Sequence, residues 1–142
     1  THNLTKTYGT GDNVVHALTD VSLDIEEGKF VSIIGSSGSG KSTLLNLLGG
    51  LDRPTSGDVI LDGKAIFEMD DEALTIFRRR KIGFVFQNYN LVPILNVYEN
   101  IVLPIELDGT KIDTVYVDKI MDVFGLSEKK FSIVFKGDQG RV

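Results

Sequence analysis

Short segments that mix apolar and polar positions alternate with turn residues near the start of the chain. Residues 4–8, 14–18 and 21–25 form such segments, and residues 9–13 between the first two read Gly-Thr-Gly-Asp-Asn. Short runs bounded by glycine, asparagine and aspartate are typical of strands joined by turns. We therefore predict an antiparallel sheet at the start of the chain.

Two further runs are apolar almost throughout. Residues 30–34 read Phe-Val-Ser-Ile-Ile, and residues 82–86 read Ile-Gly-Phe-Val-Phe. A short continuous apolar run favours a buried strand, so each is expected to form one. Gln87 directly follows the second run, at the carboxyl end where open α/β sheets place groups that contact ligands.

Local signals predict a hairpin and two helices. Residues 43–48 are apolar at helical spacing and are closed by two glycines. Asp62-Gly63 follows the apolar residues 59–61 and is a strong hairpin signal. A helix opens with the acidic residues 70–72 and ends with the basic residues 78–81, a polarity that suits the helix dipole.

Two more helices are expected beyond the second apolar run. Asn96 and Glu99 have the spacing of a helix cap with its reciprocal partner, and Pro104 is expected to interrupt the apolar run behind them. Asp113 begins a last helix, which Gly125 ends. The expected apolar face of that helix holds Tyr116, Val117, Ile120, Met121 and Phe124.

Composition narrows the class of protein. The chain has 142 residues, enough for one domain with a core, and a formal net charge of -5. That charge argues against general nucleic-acid binding, and the basic residues 78–81 are explained by the dipole and by solvation. The absence of cysteine excludes disulfides and thiolate metal sites. No apolar run approaches about 18 residues, so we expect a soluble chain that does not cross a membrane itself.

One loop carries a specific chemical signal. Residues 35–42 read Gly-Ser-Ser-Gly-Ser-Gly-Lys-Ser and match the pattern G-x-x-x-x-G-K-[S/T] between a predicted strand and a predicted helix. The glycines let backbone N–H groups point inward, and the helix N-terminus adds partial positive charge where a polyphosphate lies. In such a P-loop, Lys41 holds the β- and γ-phosphates and Ser42 ligates Mg²⁺. The alternative is a flexible Gly/Ser linker, which the flanking strand and helix disfavour.

Four motifs together resemble the nucleotide-binding subunit of an ABC transporter. They are Thr-Lys-Thr-Tyr-Gly at 5–9, the loop at 35–43, Ile-Gly-Phe-Val-Phe-Gln-Asn-Tyr-Asn-Leu-Val-Pro at 82–93 and Val-Tyr-Glu-Asn-Ile at 97–101. The resemblance is greatest to the branch that serves lipoprotein release, macrolide export and antimicrobial-peptide resistance, and it covers nearly all of residues 3–126.

The resemblance implies an α/β fold. The expected architecture is a P-loop NTPase (RecA-like) core with an N-terminal antiparallel β-sheet and the start of a helical subdomain, truncated relative to the family. Residues 1–95 are assigned to the ATP-binding core with its antiparallel part. Residues 96–142 are assigned to a partial helical subdomain and a divergent tail.

The resemblance also assigns roles to single residues. Tyr8 resembles the aromatic residue that stacks on adenine, and Val15 resembles a neighbour of the same base; packing at a strand end and packing in the core stay open for them. Gln87 resembles the glutamine that reaches Mg²⁺ and the attacking water while sensing the transporter. Lys41 and Gln87 are the expected catalytic residues, and Ser42 and Gln87 the expected Mg²⁺ ligands. The expected ATP-binding set is Tyr8, Val15, Gly35, Ser36, Ser37, Gly38, Ser39, Gly40, Lys41, Ser42, Thr43 and Gln87.

The implied partners are protein subunits. A transmembrane permease is expected to contact the segment 88–93, which runs from Asn88 to Pro93, although loop packing also explains Leu91, Val92 and Pro93. A second ATPase subunit is expected as a head-to-tail dimer, and no nucleic acid is expected. The implied location is cytoplasmic and peripheral, on the inner face of the cell membrane through the permease.

The sequence departs from the family towards its C-terminus. A complete ATPase of this family carries a Leu-Ser-Gly-Gly-Gln signature, an apolar strand ending in Asp-Glu, and a later histidine that contacts the γ-phosphate. None of these is intact here, and residues 135–142 resemble either a damaged signature or a divergent tail. The expected function is ATP binding, and in the intact parent ATP hydrolysis, powering an ABC-type membrane exporter. The alternative is a nucleotide-binding but non-hydrolysing fragment or regulatory module.

Overall fold

The computed structural model describes residues 1–134. The chain forms two compact units, Thr1–Ile82 and the residues from Gly83 onward. The division of function between residues 1–95 and 96–142 stays a prediction. Residues 135–142, where the sequence predicts a damaged signature or a divergent tail, lie outside the described residues.

The first unit contains the predicted antiparallel sheet. Strands β1 (His2–Tyr8), β2 (Val15–Val21) and β3 (Ser56–Asp58) lie in the order β2-β1-β3, and β1 pairs antiparallel with both neighbours. The expected third run, residues 21–25, is not a separate strand, because only Val21 joins the ladder, as the end of β2. In the register of β1 and β2, Tyr8 lies opposite Val15.

The hairpin predicted from Asp62-Gly63 is also present. Strands β4 (Ile60–Leu61) and β5 (Lys64–Ala65) pair antiparallel across a two-residue turn. Both turn residues have positive φ, 51° at Asp62 and 70° at Gly63. Two-residue hairpin turns favour this backbone because its twist matches that of the flanking strands.

Two helices complete the first unit. Helix α1 (Lys41–Leu48) follows the glycine-rich loop, and helix α2 (Asp71–Lys81) begins where the Asp70 carboxylate accepts a hydrogen bond from the Ala73 N–H. Strands and helices share one apolar core. Its buried members are Leu4, Leu18, Leu44, Leu47, Val59, Ile66, Leu74 and Phe77.

The strand expected at residues 30–34 is not formed. No described residue pairs with this segment in a sheet, and Phe30 and Ile34 are 99% and 88% exposed. Only Ile33 packs against the core of the first unit. A strand needs a hydrogen-bonding neighbour, and an apolar pattern alone does not supply one. The prediction of a buried strand is therefore wrong for this chain.

The second unit is helical in its described part. Helix α3 (Val97–Leu107) begins with the predicted reciprocal cap between Asn96 and Glu99, and helix α4 (Thr114–Val123) begins at the Asp113 cap. A small core forms from Val102 of α3 with Val117 and Met121 of α4. A single turn of 3₁₀ helix at Ser127–Lys129 follows.

Three expectations for the residues from 82 onward fail. Pro104 lies inside α3 and does not interrupt it, because a proline removes one hydrogen bond while packing holds the rest of the helix. Tyr116 and Phe124 are exposed, so the apolar face of α4 is narrower than predicted. The segment 82–86 joins no sheet among the described residues, and Val85 is 90% exposed.

Candidate nucleotide-binding site

The glycine-rich loop takes a backbone that only glycine adopts easily. Gly38 and Gly40 have φ values of 79° and 84°, in the left-handed region. At Gly40 a side chain is also excluded by contact, since a Cβ would lie 2.4 Å from the carbonyl oxygen of Ala17. Ala17 belongs to β2, so the loop packs directly on the formed antiparallel sheet.

The loop leads into the open N-terminus of α1. Gly40 is the N-cap residue, and no described side chain caps it. The first turn of α1 contains no acidic residue. Uncapped N–H groups and the positive end of the helix dipole together favour an anion at this position. The geometry therefore fits a phosphate group.

Lys41 folds back over the same loop. Its Nζ donates hydrogen bonds to the carbonyl oxygens of Gly35 and Ser36, at 2.9 and 2.6 Å, and to the Ser39 hydroxyl at 3.3 Å. The loop oxygens thus hold an ammonium group at its centre. Phosphate oxygens are stronger acceptors for such a cation because the hydrogen bond is charge-assisted at both ends.

A pocket of about 330 Å³ joins this loop to the end of the sheet. It brings the predicted base-side residues Tyr8 and Val15 together with residues 38–43 of the loop and helix. His16 and Ala17 of β2 complete its wall. Val15 is exposed beside Tyr8, so its alternative interpretation as a core residue is wrong. Gly35, Ser36 and Ser37 lie in the same loop, outside the lining of this pocket.

Tyr8 is held by two residues that the sequence analysis did not single out. Its hydroxyl donates a 2.7 Å hydrogen bond to Oδ2 of Asp52, and Lys6 Nζ lies 2.7 Å from Oδ1 of the same carboxylate. The Lys6 ammonium also lies 4.7 Å from the centroid of the Tyr8 ring. The sequence carries no signal for this cluster, because Lys6 and Asp52 stand 46 positions apart.

The cluster shifts two pKa values. The hydrogen bond to the Asp52 carboxylate raises the pKa of the Tyr8 phenol, and desolvation adds to the rise. Burial raises the pKa of the Asp52 carboxyl, but the hydrogen bonds from Lys6 and Tyr8 outweigh burial, so this pKa lies below its ordinary value. Both shifts favour a neutral Tyr8 and an ionised Asp52 at neutral pH.

The predicted Mg²⁺ ligand Ser42 lies exposed in the first turn of α1. Among the described residues, no group of three or more histidine, cysteine, aspartate or glutamate side chains is arranged to hold a metal ion. Mg²⁺ in nucleotide sites is bound by few protein ligands together with phosphates and waters. One hydroxyl beside a phosphate-binding loop fits that mode of binding.

Gln87 belongs to the second unit. It is exposed and begins a tight turn in which the Tyr89 N–H donates to the Phe86 carbonyl oxygen at 3.1 Å. The expected permease segment 88–93 follows. The Asn100 side-chain amide fixes its end, because Oδ1 accepts from the Val92 N–H at 2.8 Å and Nδ2 donates to the Val92 carbonyl oxygen at 3.1 Å. The roles of Gln87 and of this segment stay predictions.

The sequence matches a known family over most of its length. The profile of the ABC transporter family aligns with residues 18–139. An ABC transporter ATP-binding protein of Methanocaldococcus jannaschii, MJ0796, is 54% identical over 103 residues, which are 72% of this chain and 44% of that protein. The macrolide export ATP-binding/permease protein MacB of Neisseria meningitidis is 43% identical over an alignment of 145 residues, which covers 99% of this chain and 22% of MacB.

Solved structures agree with the sequence comparison. The dimeric structure of MJ0796 superposes with a TM-score of 0.81 at 41% identity, over 97% of this chain and 63% of that one. A post-hydrolysis dimer of the same cassette bound to ADP and Pi gives a TM-score of 0.81 at 42% identity, over 96% of this chain and 60% of that one. The chain thus spans less than two thirds of these relatives. No helix among the described residues has the length and apolarity needed to span a membrane. The chain belongs to the ABC transporter family and comprises part of its P-loop ATP-binding domain.

Proposed function

We propose that this chain binds ATP with Mg²⁺ in the pocket between the glycine-rich loop and the Tyr8 end of the sheet. The observation that carries the proposal is the shared pocket of Tyr8, Val15 and residues 38–43. A base and a triphosphate need a flat aromatic face and a ring of N–H donors at opposite ends of one site. This pocket combines the two.

Each residue of the site has a separate task. The loop N–H groups and the α1 N-terminus bind the phosphate chain, and Lys41 donates to its terminal oxygens. Ser42 contributes a hydroxyl ligand to Mg²⁺, and Mg²⁺ when bound neutralises charge on the phosphate oxygens. Gln87 orients the attacking water in the intact parent. Positioning and electrostatic stabilisation account for most of the catalysis in phosphoryl transfer.

The wider role is membrane export. One relative carries the name of a macrolide exporter, and a solved relative is a dimer bound to ADP and Pi. These likenesses support a parent protein that hydrolyses ATP as a head-to-tail dimer and drives a permease through the segment 88–93. Such a protein works at the inner face of the cell membrane, peripherally, through its permease.

The test of the proposal is the affinity for a fluorescent ATP analogue with Mg²⁺. Lys41→Ala should weaken binding about tenfold to a hundredfold, because it removes charge-assisted hydrogen bonds to phosphate. Lys29→Ala is the matched control, since Lys29 is another exposed lysine of the first unit and pairs with Glu26 at 3.5 Å. Equal affinities of wild type and Lys41→Ala would refute the proposal.

A further inference from the structure

Lys6 and Asp52 form a hydrogen-bonded cluster with the Tyr8 hydroxyl. The Asp52 carboxylate accepts from Lys6 Nζ at 2.7 Å, from the Tyr8 hydroxyl at 2.7 Å and from the Arg53 N–H at 2.8 Å. Lys6 Nζ also donates to the Arg53 carbonyl oxygen at 2.7 Å, and only 12% of the Lys6 side chain is exposed. Both partners of Tyr8 are therefore fixed by further bonds of their own.

The cluster restricts the Tyr8 ring at two places. The hydrogen bond to Asp52 fixes the hydroxyl end, and the Lys6 ammonium lies within cation–π distance of the ring, 4.7 Å from its centroid. Tyr8 lines the loop pocket, whereas Lys6 and Asp52 do not. A base that enters this pocket meets the ring and neither of the two charged groups.

We propose that Lys6 and Asp52 are positioning residues that hold the Tyr8 ring ready for the adenine base. This inference rests on the proposed function, because it requires a base at Tyr8. Holding the ring in one orientation removes an ordering cost that binding would otherwise carry. The pair contributes to the adenine-dependent part of the affinity and leaves the phosphate-dependent part unchanged.

A structural role alone makes a different prediction. The same contacts join β1 to the turn that follows α1, so their loss could loosen the first unit as a whole. A loosened unit would bind the phosphate chain less well too. The two roles therefore separate when ATP is compared with inorganic tripolyphosphate, which has the phosphates and no base.

The experiment measures Mg²⁺-dependent affinities of the whole chain for ATP and for tripolyphosphate. Asp52→Ala and Tyr8→Phe should each weaken ATP binding about three- to tenfold, the range expected when one side chain must be ordered on binding. Both should bind tripolyphosphate like the wild type. Tyr8→Ala, which removes the ring, should weaken ATP binding further, about tenfold to a hundredfold.

Asp71→Ala is the matched control. Asp71 pairs with Arg53 at 2.7 Å, so the control removes a carboxylate from an equally short ion pair that does not touch Tyr8. It should leave both affinities unchanged. If circular dichroism shows that Asp52→Ala does not fold, the affinities of Tyr8→Phe and Lys6→Met for ATP and for tripolyphosphate test the inference instead.

Several results would overturn the inference. ATP affinity that is unchanged in the folded variants would show that the cluster does not position the ring. Equal losses for ATP and tripolyphosphate would show that it only supports the loop. If the wild type binds ATP and tripolyphosphate equally well, the pocket binds the phosphate chain and does not bind the base. The phosphate-binding part of the proposed function is tested separately, and it fails if Lys41→Ala binds ATP like the wild type.

Discussion

The antiparallel sheet and the apolar segments 30–34 and 82–86 have equally clear strand patterns in the sequence. The sheet is formed, and the two segments do not form strands. Strands β1 and β2 are formed, and Leu4 of β1 is completely buried. The segments 30–34 and 82–86 join no sheet among the described residues, although they are more apolar. The pattern of a strand shows which residues can pair, and the pair itself requires a neighbour within reach.

The sheet and the two apolar segments differ in whether the chain supplies a strand partner. Strand β1 pairs with β2 after a short loop and with β3 at Ser56–Asp58. No described residue pairs with either of the segments 30–34 and 82–86 in a sheet. The chain spans 63% of the related MJ0796 cassette. We expect strand partners for both segments in the part of that cassette that these residues do not cover.

The largest effect expected from this difference concerns ATP turnover. This chain should release phosphate from ATP poorly or not at all, because the catalytic glutamate, the histidine and an intact signature are not in its sequence. A steady-state phosphate-release assay with wild type and Lys41→Ala checks this. Turnover at the rate of full-length family members, abolished by Lys41→Ala, would contradict the prediction.

Matched truncations should separate the two regions in stability. Leu4→Ala should lower the free energy of unfolding by about 2 to 5 kcal/mol, because it opens a cavity under the formed sheet. Ile34→Ala should change it by less than about 0.5 kcal/mol, since Ile34 is 88% exposed. Urea titration followed by circular dichroism measures both values. Equal losses in the two variants would mean that segment 30–34 is packed in solution.

The exposed segments should also make the chain self-associate. Open strand segments offer a template for pairing with another copy, so sedimentation should show association and a broad thermal transition. Phe30→Asp should weaken association about tenfold by removing one large apolar contact. Val115→Asp is the control, since Val115 is 78% exposed on α4 and belongs to neither segment. A monodisperse wild-type monomer with a sharp cooperative transition would count against this account.

The smallest effect concerns acid. Since the pKa of Asp52 lies below its ordinary value of 3.8, its contribution to stability is present above that value and is lost as the pH falls through the lower, folded pKa. Stability should therefore fall more steeply in acid for wild type than for Asp52→Asn, by less than about 1 kcal/mol in total. Unfolding titrations from neutral to acidic pH measure the difference. Parallel curves for the two proteins would show that Asp52 has no special role.

Features that depend on neighbouring residues were predictable from the sequence. The Asp62-Gly63 turn, the helix that opens at residues 70–72 and the Asn96–Glu99 cap form as predicted, because each is completed by atoms a few positions away. The prediction of buried strands at residues 30–34 and 82–86 is wrong, because burial depends on partners far along the chain.

The candidate site also has one part that the sequence predicts and one part that it does not. The glycine-rich loop is a local motif, and its backbone follows from Gly38 and Gly40. The contact between Lys6 and Asp52 beside Tyr8 could be found only in the folded structure, since the two residues are 46 positions apart. A carboxylate in a surface loop has no sequence feature that distinguishes it as a partner of a distant tyrosine.

Amide hydrogen exchange, followed residue by residue on the dilute chain, tests the central claim most directly. The account predicts slow exchange for those N–H groups of His2–Tyr8 and Val15–Val21 that bond across the sheet. It predicts exchange close to that of an unstructured peptide in residues 31–34 and 83–86. Protection of either apolar segment to the level of β1 in a monomeric sample would contradict it.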